Sequence, residues 1–134
     1  MGMVEPDRGP VRPRVLLVVA SMPLRSAIRR CLDGAHPCDC LETASGEEAL
    51  GVSQVHEIDL LLIDALLPGM PALEAARRLK QQTPDARAYV MADPQQCDGF
   101  ERDGAGLLAG TLGKDTLYDA LQQLIRAFVA ECRR

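Results

Sequence analysis

The sequence predicts an α/β fold: five parallel strands wound on both faces by helices, a doubly wound sheet. Three observations carry this. Short apolar runs of strand length alternate five times with stretches of helical periodicity. The most apolar run, residues 58–63, shows no polar alternation, as a strand covered on both faces requires. Each crossover has room for one helix, and strands joined that way lie parallel with right-handed connections.

Residues 15–19 form an uninterrupted apolar run and give the first strand. Ser21 can cap the helix that follows, and Pro23 fits its first turn. Leu24, Ala27, Ile28, Cys31 and Leu32 then repeat at helical spacing, and Gly34 marks the stop. Residues 38–43 are a shorter, more polar strand, expected at an edge. Ser45-Gly46-Glu47-Glu48 reads as a capping box opening a helix through Ala49, Val52 and Val55. Residues 58–63 form the third strand.

Pro71 and Ala72 open the third helix. Leu73, Ala76 and Leu79 face inward, Arg77, Arg78 and Lys80 outward, and Thr83-Pro84 ends it. Residues 87–92 give the fourth strand. Asp93-Pro94 can cap a fourth helix weakened by Gly99, which costs about 1 kcal/mol against alanine and predicts mobility. Residues 107–113 give the fifth strand. Asp115 or Thr116 then caps a last helix with Leu117, Ala120, Leu121, Leu124 and Phe128 on its inner face.

At 134 residues the chain is one domain. Residues 1–13, polar and Pro-rich, read as a disordered arm, and residues 14–134 as the domain. No apolar run is long enough to span a bilayer, and no signal peptide opens the chain. The net charge of −4 and an aromatic content of 3% argue against nucleic acid as a partner. Arg133-Arg134 reads as a solvated helix terminus. The five cysteines show no paired framework and fit reduced thiols in a cytoplasm. Cys38, Cys40 and nearby His36 lack the second ligand pair that zinc normally requires. Cys38 and Cys40 instead share one strand face as small hydrophobes. No metal site and no catalytic residue is assigned.

The chemistry gathers at Asp64. A carboxylate at the C-terminal end of a buried strand lies where open α/β sheets place ligands. A solvated aspartate closing a strand is the alternative. Asp59-Leu60-Leu61-Leu62-Ile63-Asp64 followed by Leu66-Leu67-Pro68-Gly69-Met70 resembles a bacterial response-regulator receiver domain, the module of two-component signalling. Ala44-Ser45-Gly46-Glu47-Glu48-Ala49-Leu50 and Lys114 extend the likeness, which covers about residues 14–131. The spacings from Asp64 to Ala92 and from Ala92 to Lys114 suit it too. The resemblance implies a flavodoxin-like (βα)5 fold with strand order 2-1-3-4-5, Asp64 at the phospho-acceptor position and Lys114 as the site lysine.

The chain departs from the family pattern at other positions. Two acidic residues that hold Mg²⁺ with the acceptor are replaced by Val19 and Ala20. The switch hydroxyl is replaced by Ala92, and the switch aromatic by Thr111. Pro71-Ala72 stands where Asp-Gly is common, and Leu107 where glycine is. One carboxylate makes a poor Mg²⁺ site. The expectation is therefore absent or weak Mg²⁺ binding and an Asp64–Lys114 ion pair without like-charge repulsion. Asp93 could add a second carboxylate but reads as a helix cap, as does Ser21.

Three functions stay open. One is an atypical receiver working by protein–protein interaction without phosphorylation. The second is a phospho-accepting receiver using Asp64. The third is an unrelated α/β enzyme or nucleotide binder, against which the missing Gly-rich loop counts. By resemblance, a histidine kinase, an effector or a second copy, as in a homodimer, would dock on the fourth helix–fifth strand–fifth helix face, around Gln96, Arg102, Thr111, Tyr118 and Gln122.

Overall fold

The apolar runs pair side by side in one sheet whose order is fixed by where each helix can cross. The computed structural model describes residues 11–132. The elements are β1 (Arg14–Val18), α1 (Met22–Ala35), β2 (Asp39–Thr43), α2 (Gly46–Ser53), β3 (Leu60–Asp64), α3 (Ala72–Gln82), β4 (Arg87–Ala92), α4 (Pro94–Asp103), β5 (Gly110–Gly113) and α5 (Leu117–Cys132), with a 3₁₀ turn at Lys114–Thr116. All strand pairs are parallel and the order is β2-β1-β3-β4-β5, as expected.

Alternation along the strands sorts the core into two layers. Leu16, Leu61, Ile63 and Val90 meet α2 and α3 through Ala49, Ala75, Ala76 and Leu79. Leu17, Leu60, Leu62 and Met91 meet α1 and α5 through Ile28, Leu32, Leu121 and Ile125. β3 is buried along its whole length, consistent with its unbroken apolar run. α4 is the exception: none of its side chains is fully buried, and it rests on the sheet through half-buried Cys97 and Phe100.

Several boundaries differ from the sequence expectation, each for a local reason. β1 spans Arg14–Val18, so Val19 lies just past it, although its N–H still donates to the Thr43 carbonyl at 3.0 Å. β3 begins at Leu60, because Asp59 turns its carboxylate back to accept from the Arg14 N–H at 2.8 Å. α1 runs through Gly34 to Ala35, and the His36 N–H closes it on the Leu32 carbonyl. α2 stops at Ser53, which leaves Val55 beyond it and 77% exposed. β5 is only Gly110–Gly113. Leu107 and Leu108 instead fold back on the Gly104 carbonyl and pack under α4. Cys38 precedes β2 but packs with Cys40 in the α1/α5 layer.

The caps also divide. Ser21 and Ser45 accept from the backbone of Leu24 and Glu48, and Glu48 returns to the Ala44 N–H at 2.8 Å. The Asp93 side chain makes no such bond; the Gln96 N–H instead donates to the Asp93 backbone carbonyl at 2.9 Å. Neither Asp115 nor Thr116 caps α5, since both lie inside the 3₁₀ turn.

Residues 1–10 of the expected arm, and Arg133-Arg134, lie outside the described residues. Residues 11–13 do not read as an arm: the Arg12 guanidinium pairs with Asp39 at 3.0 Å, and the Pro13 carbonyl accepts from the Asp39 N–H. No helix among the described residues is long and apolar enough to cross a membrane.

Candidate functional site

β3 delivers Asp64 to the C-terminal edge of the sheet, opposite Met91 of β4 and only 4% exposed. Its Oδ1 accepts two bonds, one from the Leu66 N–H at 3.1 Å and one from Lys114 Nζ at 2.7 Å. Among the described residues, Oδ2 accepts none. Lys114 arrives from the turn after β5, two strands away, and its side chain keeps 22% exposure. The loop after Asp64 turns at Gly69, whose φ of +76° favours glycine, and Met70 anchors it by packing against Gly46 of α2.

Ala92 ends β4 opposite Gly113, fully buried, and places a methyl where a hydroxyl would serve a phosphoryl group. Thr111 is half-buried on β5, and its hydroxyl donates to the Glu101 carboxylate of α4 at 2.7 Å. That bond ties β5 to a helix with little other anchorage. Glu101 carried no sequence signal, because the pairing depends on how α4 is rotated over the sheet.

The end of β1 differs most from a metal site. Val19 is fully buried in the α1/α5 layer, while Ala20 is exposed. Arg25 of α1 reaches back, so that its Nη1 donates to the Val19 carbonyl at 2.7 Å and its Nε to Glu42 at 3.1 Å. Arg29 takes the other Glu42 oxygen at 2.8 Å. The two guanidiniums, Arg29 foremost, hold the Glu42 carboxyl below the usual range. A guanidinium thus sits at the end of β1, on the backbone of Val19.

Mg²⁺ asks for several oxygen ligands in near-octahedral array. Val19 and Ala20 offer no side-chain oxygen, Asp64 has one oxygen already shared between two donors, and Arg25 adds positive charge. This donor set does not fit the ion, and among the described residues no group of three or more His, Cys, Asp or Glu gathers elsewhere. Asp93 is exposed at the start of α4, and its side chain makes no cap bond there. Near Cys38, whose thiol donates to the His36 carbonyl at 3.0 Å, the His36 ring is engaged with the Val11 carbonyl.

The residues expected on one interaction face are placed as follows. Gln96 lines a shallow groove with Leu73 of α3, so it sits on the α3 side of α4. Tyr118 lines a groove between α1 and α5 with Leu24, Ile28 and Cys31, and its carbonyl accepts from the Cys31 thiol. Thr111 stays on β5, beside Glu101. Arg102 is exposed on α4 and Gln122 half-buried on α5.

A five-stranded parallel sheet of this order, with a carboxylate ending its central strand and a lysine following its last, is a doubly wound flavodoxin-like fold with its candidate site at the C-terminal edge. The response regulator receiver domain family matches residues 15–126, and the chain belongs to that family. Response regulator UvrY of Escherichia coli (strain K12) is 26% identical over 115 residues, which are 82% of this chain and 53% of UvrY. The chain thus spans about half the length of that relative. Among solved structures, the receiver domain of Francisella response regulator 1452 superposes with a TM-score of 0.78 at 16% identity, covering 90% of this chain and 99% of that one. Chemotaxis response regulator CheY4 of Vibrio cholerae gives 0.75 at 21% identity, covering 87% and 98%. These structural likenesses speak for the fold alone.

Proposed function

We propose that this receiver acts in two-component signalling in the cytoplasm by binding a protein partner, without Mg²⁺-dependent phosphorylation of Asp64. The observation that carries the reading is the end of β1, where buried Val19 and the Arg25 guanidinium on its carbonyl stand in place of metal-binding carboxylates. Asp64 is then an ion-pair anchor for Lys114. Ala92 supplies no hydroxyl to draw toward a phosphoryl group, and Thr111 is already committed to Glu101. The readout element of a switch is therefore missing. The partner is a histidine kinase, an effector or a second copy.

A second reading has its own support: Asp64 Oδ2 accepts no bond among the described residues, and the Leu-Pro-Gly-Met loop after it is intact. It makes Asp64 a phospho-acceptor. The test is Mg²⁺ with beryllofluoride, followed by amide shifts, and Mg²⁺ with acetyl phosphate, followed by intact mass. The proposal expects no saturable shift at Asp64 and no phosphate adduct, and either one refutes it. Partner binding by Asp64→Asn should match the parent.

A further inference from the structure

The end of the sheet opposite Asp64 holds a groove that the Asp64 site does not use. It measures about 610 Å³ and lies where α2 and α3 end and β3 and β4 begin. α2 stops at Ser53 and α3 at Gln82, and the Ser53 hydroxyl meets the Gln82 side-chain amide at 2.6 Å, which ties the two helix ends together. Ser53 and Thr83 are buried in its floor, and the Thr83 hydroxyl donates to the Leu79 carbonyl at 2.9 Å. The floor is thus made of side chains whose own bonds are satisfied, while the rim carries charge.

That charge is one-sided. Glu57, Asp59 and Asp85 line the groove, and no lysine or arginine does. Asp59 accepts from the Arg14 N–H, a neutral donor, through Oδ2. Glu57 and Asp85 are exposed and pair with no cation among the described residues, whereas Asp39, Glu42 and Glu74 each hold an arginine. Two helices also bring their electronegative C-terminal ends here. The Lys80 ammonium, in the last turn of α3, is held by the Pro84 and Ala86 carbonyls at 2.8 and 2.6 Å. One large apolar side chain, Val55, stands exposed among these carboxylates.

This combination selects its occupant. A single apolar anchor does not supply the stripe that a docked helix needs, so a short extended segment fits. Carboxylates around the anchor call for Lys or Arg on either side of an aliphatic residue. Nucleic acid would bring phosphates, and a second copy would bring a net charge of −4, so like charge opposes both. A bare metal ion finds no cage, since no group of three or more His, Cys, Asp or Glu converges among the described residues.

We propose that this groove docks an extended basic segment of a protein partner, with an aliphatic side chain on Val55 and Lys or Arg side chains on Glu57, Asp59 and Asp85. The surface does not depend on how Asp64 is used. Asp59 and Asp64 are separated by the length of β3, about 16 Å.

The test uses the full 134-residue chain and three synthetic peptides of about seven residues, about 23 Å when extended. One sets leucine between arginines, one replaces its arginines by glutamates, and one replaces its leucine by glycine. Spermine supplies cationic charge without an apolar anchor. Amide shifts locate binding and titration measures it. The arginine–leucine peptide should shift residues 53–59 and 82–85. It should bind at least about tenfold tighter than the glutamate peptide or spermine, and about fivefold tighter than the glycine peptide. Glu57→Gln with Asp85→Asn should weaken it about tenfold and flatten its salt dependence, and Val55→Ser should weaken it about fivefold. All three side chains are exposed, so these variants should keep the parent's amide spectrum away from the groove. Asp93→Asn with Asp119→Asn removes the same charge at the opposite end of the sheet and should change binding less than about twofold. Shifts centred elsewhere, equal binding of spermine or of the glutamate peptide, or equal losses from the two carboxylate pairs overturn the proposal. So does self-association that Glu57→Gln with Asp85→Asn abolishes, which would assign the groove to a second copy. Beryllofluoride reports on Asp64 alone. A fluoride shift there sinks phosphorylation-independence and leaves the groove standing, whereas failed peptide binding without a fluoride shift sinks the groove alone.

Discussion

Replacing Lys114 by methionine removes the cation 2.7 Å from Asp64 Oδ1 and keeps most of the aliphatic stem. Asp64 then remains 4% exposed with one donor, the Leu66 N–H at 3.1 Å. At an effective dielectric near 20, charges about 3 Å apart attract by roughly 5 kcal/mol before desolvation is counted. Breaking a fully buried pair costs about 3–5 kcal/mol, and an exposed pair is worth about 1 or less. Lys114 is 22% exposed, so the loss falls between these, at about 2 kcal/mol. For a chain of this size that is about 7 °C in Tm. Urea unfolding should show a lower midpoint at unchanged slope, by about 1 M. Asp64→Leu combined with Lys114→Met removes both charges and should lie within about 1 kcal/mol of the parent. A single Lys114→Met variant within about 0.5 kcal/mol of the parent, or a double variant as unstable as that single one, refutes the view that the pair matters because it is buried.

Gly99 lies mid-helix, and an added Cβ would meet only Arg102 Nη2 at 3.7 Å. Gly99→Ala should raise stability by about 0.5–1 kcal/mol and slow amide exchange in α4. Burial pushes the Cys38 and Cys40 thiols up from 9.0 to about 11 and about 12. The folded state therefore holds protons that the unfolded chain releases, so stability is full below about pH 9 and falls as pH rises through 11 to 12; urea midpoints at pH 8 and pH 10.5 should differ in that direction. With a thiol reagent at pH 8, exposed Cys132 should react before either. Glu42 is shifted the opposite way, so its contribution is present above the ordinary carboxylate range and lost on acidification through its lowered value. Glu42→Gln should cost about 0.5–1 kcal/mol at pH 7, and the gap between variant and parent should narrow as pH falls below the ordinary carboxylate range.

The fold was legible because its signals are local. β3 is apolar at every inward position and is buried along its length, and the helix between each pair of strands forces parallel order. Leu107 and Leu108 misled because an apolar residue packing under α4 looks, in sequence, like one in a strand. Asp64, Lys114, Val19 and Ala92 could be placed because each ends or follows a strand. The contacts that matter most beyond them join residues by rotation and reach, which periodicity does not encode. Arg25 on the Val19 carbonyl, Glu42 between two guanidiniums and Thr111 on Glu101 are of that kind.

Arg25 also bears on how this sequence could change. An aspartate restored at position 19 would enter a layer built from Leu17, Ile28 and Leu62, where an unpaired carboxylate costs several kcal/mol. Arg25, already on the Val19 carbonyl, is a cation close by, and a guanidinium clamped on that aspartate would withhold it from a metal. Losing Arg25, in turn, frees Glu42 from one of its two partners. An acidic residue added at this end of β1 therefore competes for the same guanidinium that holds the α1–β2 junction together.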